Sequence, residues 1–527
     1  MIKKQLNSFR FYSLCGVLFG LSVIAAFRYA FFLDGEYSQD EFYHVRIALE
    51  GWKVFAAKTF PNMILSSWSE CFADKELLFH LILGWVQRGV LALGLPEIPF
   101  HIPNLFFVLF LIFSFVCAGI AYRIRGLWWL CILLTGGFAY FTPRLLMIRP
   151  HLLSIGLMLL SVMIFPKVRS LRDIWKGAAI GFLFAWSYSN PHFVYLSAGA
   201  FAAASLFYKR KQGFFILFSV TTGLLAGFIL HPQVPNTFIN WKIQCIDVPL
   251  FMLQDQPLLN LGDEMTLRPY RLYVEDPLGF LPFFLLAGYN ILATVFWFRR
   301  ERMACFRRER LVALMMIAGV TGTGYVFAYR MVEYAWPFGL LYAGAVFPYA
   351  FRRTCVWRSR NAHACAALIA VCAWTWTLMQ LNSSYFEPQK PFTHLAEWFR
   401  RNERAIPPGT VIANLNWSEF PQLYYAMPQY RYLCGLDPSF GYSYKKDITL
   451  AIEQIRLGGA LPEPRDMMML TGSPLIFLSE RDSPLAERLY KAGYRMVYQG
   501  RDGWLFSTFR RTAPRRNVEP SRCSGRP

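Results

Sequence analysis

Leu33-Asp-Gly-Glu-Tyr-Ser-Gln-Asp-Glu-Phe-Tyr-His-Val-Arg-Ile-Ala48 follows directly on an apolar run, 11–33. A run of that length can cross a bilayer, for which about 17–25 apolar residues are needed. The stretch behind it is dense in acids, with His44 and Arg46 following. Asp40 and His44 are four residues apart and share one face of a helix. Arg46 lies roughly two-thirds of a turn from Asp40 and points elsewhere. A carboxylate at the rim of a membrane can accept a proton from an acceptor nucleophile or hold a divalent cation. A neighbouring His or Arg can bind phosphate, Arg through its planar fork. Ser38-Gln-Asp-Glu41 also fits a capping box, so Glu41 has two readings, as a catalytic partner of Asp40 or as a helix cap.

Working outward, apolar residues make up 55% of the 527 residues and charged residues only 17%. Soluble domains carry roughly 25% charged residues, so the composition points to a membrane protein. Eleven segments are candidate spans: 11–33, 103–122, 127–142, 148–165, 175–189, 191–208, 213–231, 278–298, 310–329, 336–351 and 363–381. Basic clusters fall at Arg123/Arg125, Lys167/Arg169/Arg172, Lys209/Arg210/Lys211, Arg299 through Arg310 and Arg352 through Arg360. All of them share one side only if the apolar segment 77–95, which contains Gln87 and Arg88, does not cross. The expectation is therefore that 77–95 lies in or dips into the outer interface. The N-terminus is then cytoplasmic. Met1–Arg10 is short and basic, with no cleavage site behind the first span.

That topology divides the chain into a transmembrane region 1–381 with a first outer loop 34–102, an outer domain 382–510 and a basic tail 511–527 rich in Arg, Pro and Ser. The outer domain holds strand-like runs at Val411–Leu415, Leu475–Ser479, Arg495–Tyr498 and Trp504–Phe509, with a helical stretch Pro484–Ala492 between the second and third. This alternation predicts a small α/β domain. The formal net charge of +21 fits positive-inside loops and anionic lipid headgroups. Nucleic-acid binding is not indicated, because the basic residues sit in short loops between apolar spans rather than on one face of a soluble module. The eleven cysteines are scattered without zinc or disulfide spacing.

Further ionisable residues collect on the outer side: Asp74, Glu76 and His80; Arg144, Arg149 and His151; His192 and His231; Arg268; Arg330 and Glu333. Ionisable groups at membrane depth are costly and are functional-site candidates by default. Each alone also fits a snorkelling or satisfied structural group, and Arg330 and Glu333, three apart, can pair with each other. Their joint concentration, with acids, His and Arg on one face and plain Lys/Arg loops on the other, suits a pocket for an anionic lipid phosphate.

Asp40-Glu-Phe-Tyr-His-Val-Arg46 resembles the first-loop signature of GT-C glycosyltransferases. Oligosaccharyltransferase catalytic subunits show an Asp, two aromatics, His or Asn, then Arg, matched here by Asp40, Phe42, Tyr43, His44 and Arg46. The Asp40-Glu41 pair is similar to that of protein O-mannosyltransferases and aminoarabinose transferases. Asn414-Leu-Asn-Trp-Ser-Glu-Phe-Pro421 followed by Gly435-Leu-Asp-Pro438 resembles the soluble domains of bacterial members. The resemblance implies a polytopic α-helical GT-C fold of about 11 spans with a periplasmic α/β domain, in a bacterial inner membrane. It implies transfer of a sugar from a polyprenyl-phosphate donor to a lipid, glycan or protein acceptor. By carry-over Asp40 is the catalytic carboxylate, as base or metal ligand, and Arg149 and His151 lie near the donor phosphate. Metal-dependent members carry a second acid in the second outer loop, whereas Phe141-Thr-Pro-Arg-Leu-Leu-Met-Ile-Arg-Pro150 offers Arg144 and Arg149 instead, which leaves a Mg or Mn ion open. Two rival readings stand beside this one: a transporter or flippase, whose polar path would cross the midplane within broken helices, and a non-catalytic partner in cell-envelope polysaccharide assembly.

Overall fold

The computed structural model describes residues 2–124, 126–252, 259, 270–300, 305–350, 360–383 and 387–510. Arg268 and the tail 511–527 lie outside these. The chain forms two compact units, 1–60 with 70–390, and 61–69 with 391–527.

The first unit is helical. Its chain runs through α1 (Ile2–Phe31), α2 (Asp40–Glu50), α3 (Trp52–Phe55), α4 (Leu77–Ala92), α5 (His101–Ala121), α6 (Leu127–Gly136), α7 (Thr142–Leu146) and α8 (His151–Ile164). It continues through α9 (Ile174–Ser187), α10 (Val194–Phe207), α11 (Gln212–Ile229), α12 (Asn236–Lys242), α13 (Val248–Met252) and α14 (Tyr270–Glu275). The last four are α15 (Pro277–Arg300), α16 (Cys305–Phe327), α17 (Val332–Ala350) and α18 (Arg360–Ser383). Each of the eleven apolar segments is helical over most of its length, and 77–95 holds α4. Five helices, within α1, α5, α11, α15 and α16, are long and apolar enough to cross a membrane.

Helix α6 is much shorter than its apolar run. Segment 127–142 is helical only to Gly136, about 15 Å of rise, or half of a ~30 Å hydrocarbon core. Gly136-Gly137 breaks it, glycine being a poor helix former. The Thr142 hydroxyl donates to the carbonyls of Thr135 and Phe138, both at 3.1 Å, so the break leaves fewer backbone acceptors bare in an apolar setting.

The tightest helix pair is α9 against α11. Both carry a small-xxx-small repeat, Gly177-Ala-Ala-Ile-Gly181 and Gly223-Leu-Leu-Ala-Gly227. A Cβ at Gly181 would overlap the Val220 carbonyl, and one at Gly223 the Ala178 carbonyl. The backbones touch because these positions have no side chains, which is how apolar helices associate where lipid competes for every larger side chain.

The second unit holds a five-stranded sheet in the order β2-β1-β3-β5-β4. The strands are β1 (Val411–Asn414), β2 (Arg431–Tyr432), β3 (Leu475–Leu478), β4 (Tyr494–Gly500) and β5 (Gly503–Arg510). β1 runs parallel to β2 and β3, and β5 runs antiparallel to β3 and β4. All four residues of β3 are buried, as a continuous apolar run in a covered central strand should be. Helix α19 (Ser483–Lys491) matches the predicted helical stretch to within one residue, and its Leu485 and Leu489 join Ala413, Ile476 and Phe506 in the core. The chain enters this unit twice. Within the first loop, Ile64 and Leu65 donate backbone hydrogen bonds to Tyr432 and Leu433 at 3.0 and 2.8 Å, and Tyr432 N–H donates to Asn62 at 2.7 Å.

Gly223→Val should lower the unfolding midpoint of the detergent-purified protein, at a cost of about 1–3 kcal/mol for overpacking. Gly199→Ala, where an added Cβ meets nothing within 4 Å, is the control and should be neutral or slightly stabilising.

Candidate active site at one end of the helical unit

Arg28, near the end of α1, is fully buried. Its guanidinium meets Glu36 Oε2 at 2.5 Å and Glu41 Oε2 at 3.7 Å. It also donates to His101 Nδ1 at 3.1 Å and to the carbonyl of Leu146. Glu36 accepts in addition from the Phe100 amide, at 2.5 Å. One guanidinium thus ties the end of α1 to the first loop, to the start of α5 and to α7. Glu41 completes half of the capping box, since its Oε1 accepts from the Ser38 amide at 2.9 Å. Burial, then the nearby Glu36, push the Glu41 carboxyl well above the usual carboxylate range, against the pull of Arg28. These contacts are those of a tether.

Asp40, at the start of α2, is the more open acid, its side chain 31% exposed. Its Oδ2 is 2.6 Å from Arg149, which also donates to Ser38 Oγ at 2.7 Å. The Ser38 hydroxyl, which the capping box would assign to the helix, is therefore spent on the arginine.

His44, one turn along α2, does not bond Asp40. Its Nδ1 is 2.8 Å from His80 Nε2, and His80 Nδ1 lies 2.9 and 2.8 Å from the two oxygens of Asp74. Asp74 is itself held. Its Oδ1 accepts from the Glu76 amide at 3.0 Å, its carbonyl accepts from His231 Nε2 at 3.1 Å, and its amide donates to Gln233 at 2.6 Å. All three members of the line are buried. Burial holds the His44 imidazole well below the usual histidine range, and His80, Arg149, Lys75 and His151 add repulsion. Burial also raises the Glu76 carboxyl.

A third group surrounds Glu333, at the start of α17. Arg144 and Arg330 approach its Oε1 at 3.8 and 3.9 Å, and the Tyr188 hydroxyl donates to Oε2 at 3.3 Å. His151 Nε2 donates to the Arg144 carbonyl at 2.7 Å and lies within electrostatic reach of Glu333, Arg144 and Arg149, linking this group to the Asp40 pair. Arg330 likewise acts on Glu76. The fold therefore gathers Asp40, His44, Asp74, Arg144, Arg149, His151, Arg330 and Glu333 from four separate stretches of chain. Arg46 instead pairs with Glu50 at 3.0 Å along α2. His192 is half-buried with its ring against Phe193. Sequence reading missed Arg28 and Glu36 altogether. An arginine inside an otherwise apolar span, followed by a glutamate eight residues on, was the available signal.

The donors do not fit a divalent cation. Mg and Mn take several oxygen ligands, whereas the carboxylate of Asp40 faces a guanidinium. No group of three or more His, Cys, Asp or Glu is arranged to hold a metal among the described residues.

Five helices long and apolar enough to cross a membrane, with acids and guanidinium groups gathered at one end, are the pattern of a polytopic membrane protein. No protein-family model and no curated protein matches the sequence. Among solved structures the chain is similar to the arabinofuranosyltransferase AftD from mycobacteria, with a TM-score of 0.53 at 12% identity, over 95% of this chain and 40% of that one. The likeness is one of fold, and this chain spans less than half the length of that protein.

Because folded His44 resists protonation, the unfolded chain binds more protons below the ordinary histidine pKa of ~6.5. Stability from this group is complete above that pH and is lost as pH falls below it, by up to about 1.4 kcal/mol per pH unit. The raised Glu41 and Glu76 carboxyls act with the opposite sign, so the informative quantity is a difference. Between pH 7.5 and 5.5 the unfolding midpoint of His44→Gln should fall less than that of the unmodified protein. Parallel curves would refute the assignment.

Proposed function

We propose that this chain is a GT-C-type glycosyltransferase that moves a sugar from a polyprenyl-phosphate donor to an acceptor hydroxyl at the extracytoplasmic face of a bacterial inner membrane. The observation that carries the reading is the pair Asp40–Arg149, a part-exposed carboxylate held at 2.6 Å by a guanidinium at the end of an apolar helix bundle. Such a pair places a proton acceptor beside a phosphate-binding cation, which is what displacement at an anomeric carbon with a phosphate leaving group requires.

In the reaction Asp40 accepts the hydrogen bond of the acceptor hydroxyl, orienting it or drawing off its proton. The hydroxyl oxygen forms its bond to the anomeric carbon as the bond from that carbon to the phosphate oxygen breaks, and the electron pair leaves on the polyprenyl phosphate. Arg149, Arg144 and Arg330 balance the charge that collects on that phosphate, a task guanidinium groups perform without a metal. The apolar helices, with α4 in the outer interface, offer the prenyl tail a lipid-like surface. Arabinofuranose, the sugar named for the similar structure, is the first donor to try.

With synthetic polyprenyl-phosphate sugars, arabinofuranose first, Asp40→Asn should lower transfer by about 10²–10⁴-fold while membrane insertion and unfolding midpoint are kept. Arg144→Gln and Arg330→Gln should raise the KM for the donor. Undiminished transfer by Asp40→Asn sinks the role of Asp40. For orientation, an alkaline phosphatase reporter fused after residue 95 should be active and one fused after residue 124 silent. The reverse pattern would turn the site to the cytoplasm.

A further inference from the structure

The displacement leaves a proton to be placed, and the buried line Asp74–His80–His44 has been given no task. With both imidazoles taken as neutral, its hydrogen bonds fix where its protons sit. A carboxylate only accepts, so His80 Nδ1–H donates to Asp74 at 2.8–2.9 Å. Neutral His80 then presents a lone pair at Nε2, and the 2.8 Å contact to His44 is donated by His44 Nδ1–H. Neutral His44 is left with its lone pair on Nε2, and its one side-chain hydrogen bond among the described residues is the Nδ1 contact to His80. His44 lies one helical turn from Asp40, with Cβ atoms about 5–6 Å apart, on the same face of α2. It also lies in the field of Arg149, the partner of Asp40.

We propose that His44, His80 and Asp74 form the proton sink of the transfer reaction: Asp40 orients the acceptor hydroxyl, His44 Nε2 takes its proton, and the positive charge comes to rest on His80 against Asp74. The inference rests on the glycosyltransferase reading and assigns the proton step within it. The acceptor O–H bond breaks and a His44 Nε2–H bond forms. The His44 Nδ1–H bond breaks and a His80 Nε2–H bond forms. His44 ends neutral with its proton on the other nitrogen, and His80 ends as a cation beside a carboxylate. Nothing else is consumed, and the line resets when His80 returns its proton to solvent by the same path.

The physical need for a line rather than a single base is electrostatic. A cation resting on His44 would be buried and would face His80, Arg149, Lys75 and His151. Moved one imidazole inward, the same charge faces Asp74, with Glu76 close by. The buried carboxylate supplies at His80 the stabilisation that solvent would supply at a surface histidine. His231, which donates to the Asp74 carbonyl, and Gln233, which accepts from its amide, hold Asp74 in register.

The test uses the full chain in lipid nanodiscs with two readouts. The first is the nitrogen spectrum of histidine-labelled protein at pH 7.5, assigned through His44→Gln and His80→Gln. Both imidazoles should be neutral with the proton on Nδ1, and Asp74→Asn, whose amide can donate to His80, should switch the His44 proton to Nε2. The second is transfer from a polyprenyl-phosphate sugar. Asp74→Asn and His80→Gln should each lower kcat by about 10²–10³-fold with the donor KM unchanged, and Asp74→Glu should restore part of it. A purely packing role would lower the unfolding midpoint without this split between kcat and KM. The sink is overturned if His44 in the unmodified protein carries its proton on Nε2. It is equally overturned if Asp74→Asn keeps full kcat while Asp40→Asn is inactive. Full activity in Asp40→Asn strikes instead at the glycosyltransferase site on which the inference rests.

Discussion

The guanidinium of Arg28, buried inside an apolar helix end with Glu36 and Glu41 against it, is the contact on which this end of the protein depends. Removing an ion from water costs several kcal/mol even after relaxation, so such a residue persists only when it is paired and hydrogen-bonded. Here every direction of the fork is used: two carboxylates, an imidazole and a backbone carbonyl. The consequence is positional. Because Glu41 is held from α1 and also bonds the Ser38 amide, the first turn of α2 cannot rotate, and Asp40 and His44 are presented on a fixed face. The acid beside Asp40 in sequence is thus the device that aims it.

The remaining charges divide by exposure. The Asp74–His80–His44 line and Glu333 are buried, while Asp40 and Arg149 remain partly open. Buried pairs are stiff, because breaking one strands a charge in a medium that cannot solvate it. Open pairs exchange partners cheaply with water or ligand. A site built this way has a rigid rim and an exchangeable centre, and the centre is where contacts within the chain can give way to a ligand.

Much of the scaffold was legible from sequence. Apolar runs long enough to span a bilayer read as helices, and the strand-like runs at 411–415, 475–479, 495–498 and 504–509 read as the sheet, because both signals are local. The two-residue strand Arg431–Tyr432 and the pairing of residues 62–65 with it carry no pattern of their own, since a neighbouring strand defines them. The glycine repeats of α9 and α11 were visible as spacings, but nothing in the sequence says which two helices they join. At the site, Asp40 stood out because it follows a span directly and shares a helix face with His44. The use of Ser38 by Arg149, and the bond from His44 to His80 rather than to Asp40, are contacts between segments 36 to 111 residues apart, and one-dimensional spacing cannot rank them.

The separation of Glu41 from Asp40 shows how one dipeptide can hold two opposite electrostatic roles. On a helix, adjacent residues point about 100° apart, so one of the pair can face the bundle while the other faces its open end. Glu41 faces inward, where burial favours its neutral form and the Arg28 guanidinium and the Ser38 amide favour its charge. Asp40 faces outward beside Arg149, with about a third of its side chain reaching solvent. The acidic dipeptide therefore joins a buried anchor and a part-open carboxylate through one peptide bond. Exchanging the two roles would require rotating α2 by more than a quarter turn, which the Arg28 contacts forbid.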